Sequence, residues 1–271
     1  MAGPLISFLT DFGPESSPAV CRGVMWGIAP EARILDLSHT VRKFAVRDGA
    51  FLLSRMVGYL PIGVHIAVVD PGVGTARRPI AIRSARGDTI VGPDNGLLMP
   101  AARVLGGIAA AHEITASDLF LTKVSSTFHG RDIFSPVGAH LARGEDWTRV
   151  GPELPAKQLV RLDLTSSRLD ERGLSGEVIA TDGPYGNLVT NISGDDFLKL
   201  GYRHGQNVHV TLGRTDMDIP FARTFSDVPL KKPLLYIDSR GHLALAVNQG
   251  SFAAAYSIEP PVTIFFPRAK K

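Results

Sequence analysis

Eight polar residues stand where runs of apolar residues end: Asp11, Asp36, His39, Asp70, Arg77, Asp94, His129 and Asp132. Carboxylate, guanidinium and imidazole in that combination suit two chemistries. One is a metal site, because carboxylate and imidazole are hard-to-borderline ligands. The other is metal-free, with Asp, Arg and His handling a water molecule or an anion. The richest stretch runs from Ile66 to Leu97. Its apolar run Ile66-Ala-Val-Val69 ends on Asp70 and breaks at once into Pro71-Gly72-Val73-Gly74, with Arg77 seven residues after the aspartate. Glycine has no Cβ, so a carboxylate followed by glycines lets backbone approach a small molecule closely. A second run, Asp88-Thr-Ile-Val91, enters another acidic turn, Gly92-Pro-Asp-Asn-Gly96. Either turn alone reads as an ordinary connection, since Gly, Pro, Asn and Asp dominate turns anyway. Two of them bracketing an arginine pair point to a site. Asp36 and His39 also fit a structural role as strand-end caps, whereas His129 lies in a loop between Phe128 and Gly130.

Several common chemistries are absent. Gly72-Val-Gly74 continues to Arg77 and not to glycine, so the dinucleotide fingerprint is incomplete. His112-Glu113 lacks the second histidine of a zinc-protease helix, and neither a phosphate-binding Walker loop nor a Gly-x-Ser-x-Gly elbow occurs.

The elements that must position these residues alternate between strand and helix. Leu5-Ile-Ser-Phe-Leu-Thr10 predicts a strand ending in Asp11-Phe12-Gly13, followed by a helix with Val20, Val24, Met25 and Ile28 on one side. Ile34-Leu-Asp-Leu37 predicts a second strand, and Phe51, Leu52, Met56 and Tyr59 or Leu60 mark an amphipathic helix before Pro61. Ile66–Val69 and Asp88–Val91 follow as strands, with a weaker one at Ile108–Ala111. Asp132 opens a helix carrying Ile133, Phe134, Val137, Leu141 and Ala142 on its apolar side, which suits the helix dipole. That order predicts an N-terminal α/β domain with a largely parallel sheet. Between Gly144 and Gly173 the pattern loosens, with Arg168–Arg172 reading as a linker. Beyond it, short strands at Gly176–Ala180, Asn207–Thr211, Leu234–Ile237, Leu243–Ala246 and Val262–Phe266 predict a small antiparallel, barrel-like β domain. The expected division is 1–165 and 166–271.

Length and composition set the bounds. The 271 residues are 44% hydrophobic and 20% charged, which is globular and enough for a sizeable core. Net charge is only +3, and the one dense basic cluster is the tail Arg268-Ala-Lys-Lys271, so nucleic acid is not an expected partner. Cys21 is the sole cysteine, which excludes an intrachain disulfide and a cysteine-based zinc site. No apolar run approaches the length of a membrane span, and Asp11 interrupts any signal-like stretch, so a cytoplasmic protein with no membrane partner is expected.

With these segments in hand, the chain resembles the SAM hydroxide adenosyltransferases, the adenosine-forming S-adenosyl-L-methionine hydrolases related to fluorinase and chlorinase. The matching stretches are Leu9-Thr-Asp-Phe-Gly13, Val68-Val-Asp-Pro-Gly-Val-Gly-Thr75, Gly92-Pro-Asp-Asn-Gly96, Thr127-Phe-His-Gly-Arg-Asp132, Gly186-Asn-Leu-Val-Thr-Asn191 and Asn248-Gln-Gly250. Each is short, but together they span nearly the whole chain in the right order.

The resemblance implies hydrolysis of S-adenosyl-L-methionine to adenosine and methionine without metal or other cofactor, in a homotrimer with sites between subunits. It places the water-activating set on Asp70, Arg77 and His129, with Arg77 stabilising hydroxide and His129, oriented by Asp70, taking the proton. In the halogenases the position matching Asp70 carries tyrosine and the Arg and His are not kept, so their presence here points to water over halide. The substrate contacts implied are Asp11 for the ribose diol, Phe44 as an aromatic lid and Phe128 beside it. Asp182 falls on the partner of the methionine amino group, and Ser239 and Arg240 on those of its carboxylate. Tyr185 and Asn187 fall on the adenine contacts, with Phe225 (or Phe221) as a second ring face. The chain departs from the family at Pro14-Glu-Ser-Ser-Pro-Ala19, where an acidic residue and a tyrosine usually follow the first aspartate. Two other functions compete: a non-catalytic binder of SAM or adenosine, and a metal-dependent hydrolase built on the strand-end carboxylates.

Overall fold

The computed structural model describes residues 3–162 and 166–269, and the chain forms two compact units, one up to Leu162 and one from Asp163. The first unit contains β1 (Leu5–Thr10), α1 (Ser16–Ile28), β2 (Arg33–Ser38), α2 (Val46–Val57), β3 (Val64–Val68), β4 (Pro79–Ser84), β5 (Thr89–Pro93), α3 (Met99–Val104), β6 (Ile108–Glu113) and α4 (Ser135–Ala142). Its sheet has the order β2-β1-β3-β5-β4-β6. The β1–β2, β1–β3 and β3–β5 pairings are parallel, while β4 runs antiparallel to both β5 and β6. The sheet is therefore mixed. Only the short turn Ala85–Asp88 separates β4 from β5, too few residues for the crossover that a parallel pair needs.

Helices cover both faces of this sheet, which explains why β1 and β3 are buried along their full length and read as continuous apolar runs. Alternation along β1 sends Ile6 and Phe8 to the side of α1 and α4, where they meet Met25 and Val137, and Leu9 to the side of α2 and α3, where Leu53 and Ala101 lie. Gly138 lets α4 press against the Ile66 side chain, where any Cβ would collide. The consequence for function is positional: β1 and β3 are adjacent parallel strands, so Asp11 and Asp70 emerge side by side beyond their carboxyl ends.

The second unit contains β7 (Arg168–Leu169), β8 (Gly173–Asp182), β9 (Asn187–Ser193), α5 (Gly194–Leu198), β10 (Asn207–Leu212), β11 (Thr215–Pro220), β12 (Pro233–Ile237), β13 (His242–Val247), α6 (Phe252–Tyr256) and β14 (Val262–Pro267). All of its ladder pairings are antiparallel, in the order β11-β10-β14-β8-β9-β13-β12, with β7 on β8. A bridge between Phe221 and Leu235 links the end of β11 to β12 and nearly closes the sheet into a barrel around Val178, Leu188, Val210, Leu245 and Phe266. Arg168–Arg172 is not the linker that its charges suggested. Arg168 and Leu169 pair with Ser175 and Leu174, and the Asp170 carboxylate accepts the Arg172 and Gly173 N–H groups in a tight turn.

Candidate active site

A cavity of about 310 Å³ opens at the carboxyl ends of β1 and β3, lined by Asp11, Phe12, Lys43, Phe44, Val68, Asp70, Val73, Thr127, Phe128, His129 and Gly130. Five of the sequence-predicted site residues thus meet on one cavity, and a sixth, Arg77, is joined to two of them. Arg77 Nε donates to Asp70 Oδ1 at 3.0 Å and its Nη2 to Oδ2, a fork-to-fork pair in which both side chains are more than nine-tenths buried. The same Nη2 lies 3.2 Å from His129 Nδ1. The guanidinium also sits 5.3 Å from the Phe134 ring centre, and its buried Nη1 has no hydrogen-bond partner among the described residues.

The order of these contacts corrects one expectation. His129 is held by Arg77 and not directly by Asp70, so the chain of contacts runs Asp70 to Arg77 to His129. A guanidinium has no lone pair to offer, so Nδ1 must be the acceptor, which assigns the proton of the neutral ring to Nε2. Burial and then the Arg77 cation push the His129 pKa below its ordinary value, against the opposing pull of Asp70 and Asp132. Neutral imidazole is the resting form.

Two loops must meet to build this arrangement. Asp70 and Arg77 flank the turn after β3, and Gly74 at φ +77° passes so close that a Cβ would lie 2.5 Å from the Ser126 carbonyl oxygen. The second loop, 121–128, is irregular and is tied down by Asp132. That carboxylate is fully buried, takes Arg131 Nε at 2.6 Å and accepts the Ser125 N–H at 2.8 Å, while the Asp132 carbonyl accepts from Leu121 N. Burial alone would raise the Asp132 pKa, but Arg131 and the Ser125 N–H bring it below the ordinary value. His129 leads into a π-helical turn, Gly130–Phe134, ahead of α4, so the expected regular helix start at Asp132 is a wider turn of a kind frequent at functional sites. Gly130 has no room for a side chain, since a Cβ would stand 2.5 Å from the Phe12 ring.

Asp11 Oδ2 accepts the Phe44 N–H at 2.8 Å. Phe44 holds a left-handed conformation, φ +65°, and is 70% exposed at the rim. A non-glycine residue in that region is strained, and the Asp11 hydrogen bond keeps it there. Sequence reasoning missed Lys43, Phe12 and Val73 in the lining; for Lys43 its place beside Phe44 was the available signal.

Three residues with the right chemistry lie elsewhere. Asp94 is taken up by Arg78 (Nη2 to Oδ2, 2.6 Å) and by the Val160 N–H, which anchors the segment that follows α4. His39 and Asp36 form an edge network with Thr10 and Arg22. None of these three lines the cavity. Among the described residues no three His, Cys, Asp or Glu side chains are grouped to hold a metal ion.

In the second unit, Asp182 ends β8, Tyr185 stands 69% exposed in the turn, and buried Asn187 opens β9 opposite Asp182. Gly186, at φ +65°, has no space for a Cβ because Ser251 presses on it, which ties this turn to the stretch after Asn248-Gln-Gly250. Asn248 itself holds the Val228 carbonyl (2.8 Å), fixing the loop that carries Phe225, whose ring lies 5.3 Å from Tyr236. Ser239 and Arg240 are exposed in the turn before β13. That turn adjoins the far end of β9, where the Gly194 N–H meets the Gly241 carbonyl. Along β9 that turn therefore lies at the opposite end from Asp182, which pairs with Asn187.

A sequence model of the SAM hydroxide adenosyltransferase N-terminal domain matches residues 6–151, and one of the C-terminal domain matches residues 176–264. The chain is 42% identical over 262 residues, 95% of each chain, to the (R)-S-adenosyl-L-methionine hydrolase of Salinispora arenicola. It is 29% identical to the fluorinase of Actinopolyspora mzabensis across 98% of both chains. Among solved structures, an uncharacterized conserved protein from Thermotoga maritima superposes with a TM-score of 0.89 at 37% identity, over 96% of this chain and 99% of the other.

Proposed function

The chain belongs to the SAM hydroxide adenosyltransferase family, and from that membership we propose that it hydrolyses S-adenosyl-L-methionine to adenosine and L-methionine, with water attacking C5′. The observation that carries this reading is the continuous Asp70–Arg77–His129 set on the cavity beyond β1 and β3.

The chemistry follows from the charges. The leaving group departs as a neutral thioether, so it needs no acid. The difficulty is to present a nucleophilic water in line with the C5′–S bond, and burial of Asp70 and Arg77 supports it in two ways. Their fixed fork gives a preorganised polar wall, whose hydrogen bonds are strengthened by the low local dielectric. Arg77, cationic at any working pH, holds Asp70 and His129 in place beside the attacking oxygen. The positive charge leaves sulfur as the new C–O bond forms and departs with the proton that the attacking water gives up.

The remaining contacts are assigned by the same reading. Asp11 receives the ribose diol, with Phe44 and Phe128 as aromatic walls. Tyr185, Asn187 and Phe225 receive adenine, and Asp182, Ser239 and Arg240 the methionine end. The N-terminal unit, expected as 1–165, carries the water-handling residues, and the C-terminal unit, expected as 166–271, the adenine and methionine contacts. We propose further that three chains assemble, with each site shared between neighbours, and that the protein is cytoplasmic.

Incubating the protein with S-adenosyl-L-methionine and separating the products by mass tests the function. Adenosine and methionine in equal amounts, unaffected by a chelator, are expected, from a species with the mass of three chains. Binding without turnover would make the protein a sensor. Loss of turnover with the chelator would mark a metal-dependent hydrolase.

A further inference from the structure

We propose that Asp70, and not His129, takes the proton of the attacking water, and that His129 holds the water's oxygen as a hydrogen-bond donor through Nε2–H. The proposal rests on the hydrolase reading above and assigns the roles within its water-handling set.

Arg77 fixes the tautomer of His129. Its Nη2 points at His129 Nδ1 from 3.2 Å, and an arginine nitrogen can only donate. Nδ1 is therefore occupied as an acceptor and Nε2 carries the hydrogen, so the neutral ring has no open lone pair for a water proton. Protonating Nδ1 would break the Arg77 bond and leave two cations facing each other at that separation, beside a substrate that is itself a sulfonium cation. The charged groups around the ring are Arg77 and Asp70 from the turn after β3, Arg131 and Asp132 from its own turn, and Asp11 and Lys43 across the cavity; burial and Arg77 outweigh the pull of Asp70 and Asp132.

Asp70 is in the opposite position. Its two oxygens each receive one Arg77 hydrogen bond, and a carboxylate oxygen has a second lone pair. The side chain lines the cavity. A strong base is not required here. The C5′–O bond forms as the C5′–S bond breaks with its electron pair going to sulfur, and the alkylated water that results is a far stronger acid than any carboxylic acid. One proton passes from that oxygen to Asp70 and then to solvent, giving adenosine, methionine and one released proton.

Glutamine at position 129 separates the two roles. Its amide oxygen replaces Nδ1 as the acceptor of Arg77, its N–H replaces Nε2–H, and it cannot take a proton. Turnover of S-adenosyl-L-methionine is measured for wild type, His129→Gln, His129→Leu and Asp70→Asn across pH, with thermal unfolding and adenosine binding checked for each. We expect His129→Gln to stay within about tenfold of wild type and to keep the acid limb of its kcat/KM profile. His129→Leu and Asp70→Asn should fall by on the order of 10²-fold or more, the usual worth of a positioned proton acceptor or of the group that holds its water. A folded, adenosine-binding His129→Gln protein as inactive as Asp70→Asn would overturn the proposal, as would loss of the acid limb in that variant. Should glutamine prevent folding, His129→Asn keeps the amide and is judged by the same criteria. If wild type releases no adenosine, the hydrolase reading itself falls; if wild type is active and the glutamine variant is dead, only this assignment does.

Discussion

At the scale of single residues, the same side-chain types serve two purposes in the N-terminal unit, and partners decide which. Asp70 and His129 line a cavity and Arg77 joins them, whereas Asp88, Arg86 and His65 form a similar set with no access to solvent at the histidine or the aspartate. There Ser7 Oγ lies 2.8 Å from His65 Nδ1, and His65 Nε2 lies 3.0 Å from Asp88 Oδ1, so the ring is neutral with its proton toward the carboxylate. Burial lowers the His65 pKa from 6.5. Burial would raise Asp88, but hydrogen bonds from Arg86 and His65 hold it at about 2, below its ordinary 3.8. Both folded values lie below the unfolded ones, so the unfolded chain binds more protons and stability falls as pH falls. The His65 contribution is lost below about pH 6.5 and that of Asp88 from about 3.8 downward, at up to about 1.4 kcal/mol per pH unit per group. Urea unfolding at pH 7 and pH 5 should show this loss in wild type and a smaller loss in His65→Gln. An equal loss in both would remove His65 as a source of the pH dependence.

At the scale of elements, much of the site was legible because parallel strands put their last residues at one edge. The carboxylates after Leu5–Thr10 and Ile66–Val69 read as strand-end residues in the sequence, and the parallel pairing of β1 with β3 makes them neighbours. Asp36, His39 and Asp94 carried the same local signature. What distinguishes them is tertiary: β2 is an edge strand, and Asp94 is claimed by Arg78 and Val160, which lies 66 residues further along the chain. No spacing rule reports such a partner. The antiparallel β4 was hidden in a short run after Arg77-Arg78, and the π-helical turn after His129 has the sequence of an ordinary helix start. That Asp70 orients His129 was expected from the family resemblance, while the interposed arginine is a matter of side-chain geometry. The meeting of the two loops depends on Gly74, which combines a left-handed backbone with contact against Ser126. Gly74→Ala should therefore separate Arg77 from His129, lowering turnover by on the order of 10²-fold, as small misplacements of catalytic groups do. Circular dichroism and adenosine binding should change little. Turnover near that of wild type would show that the close approach is dispensable.

At the scale of the whole molecule, the alternation of strand and helix up to about residue 142 and of strand and turn beyond it separated an α/β unit from an antiparallel barrel, and both are present. Helices on both faces make the first sheet a rigid frame whose open end carries the polar set. The barrel presents exposed Tyr185, Ser239 and Arg240 at its turns. Those turns are sites of recognition in the proposed function, and the sheet of the first unit is the site of chemistry. The central claim is that the oxygen gained at C5′ comes from solvent through attack on carbon. The direct measurement is turnover of S-adenosyl-L-methionine in oxygen-18 water, with the adenosine analysed by mass. One labelled oxygen per adenosine, located on C5′, is expected. Unlabelled adenosine, or adenine or methylthioadenosine as the main product, would contradict it.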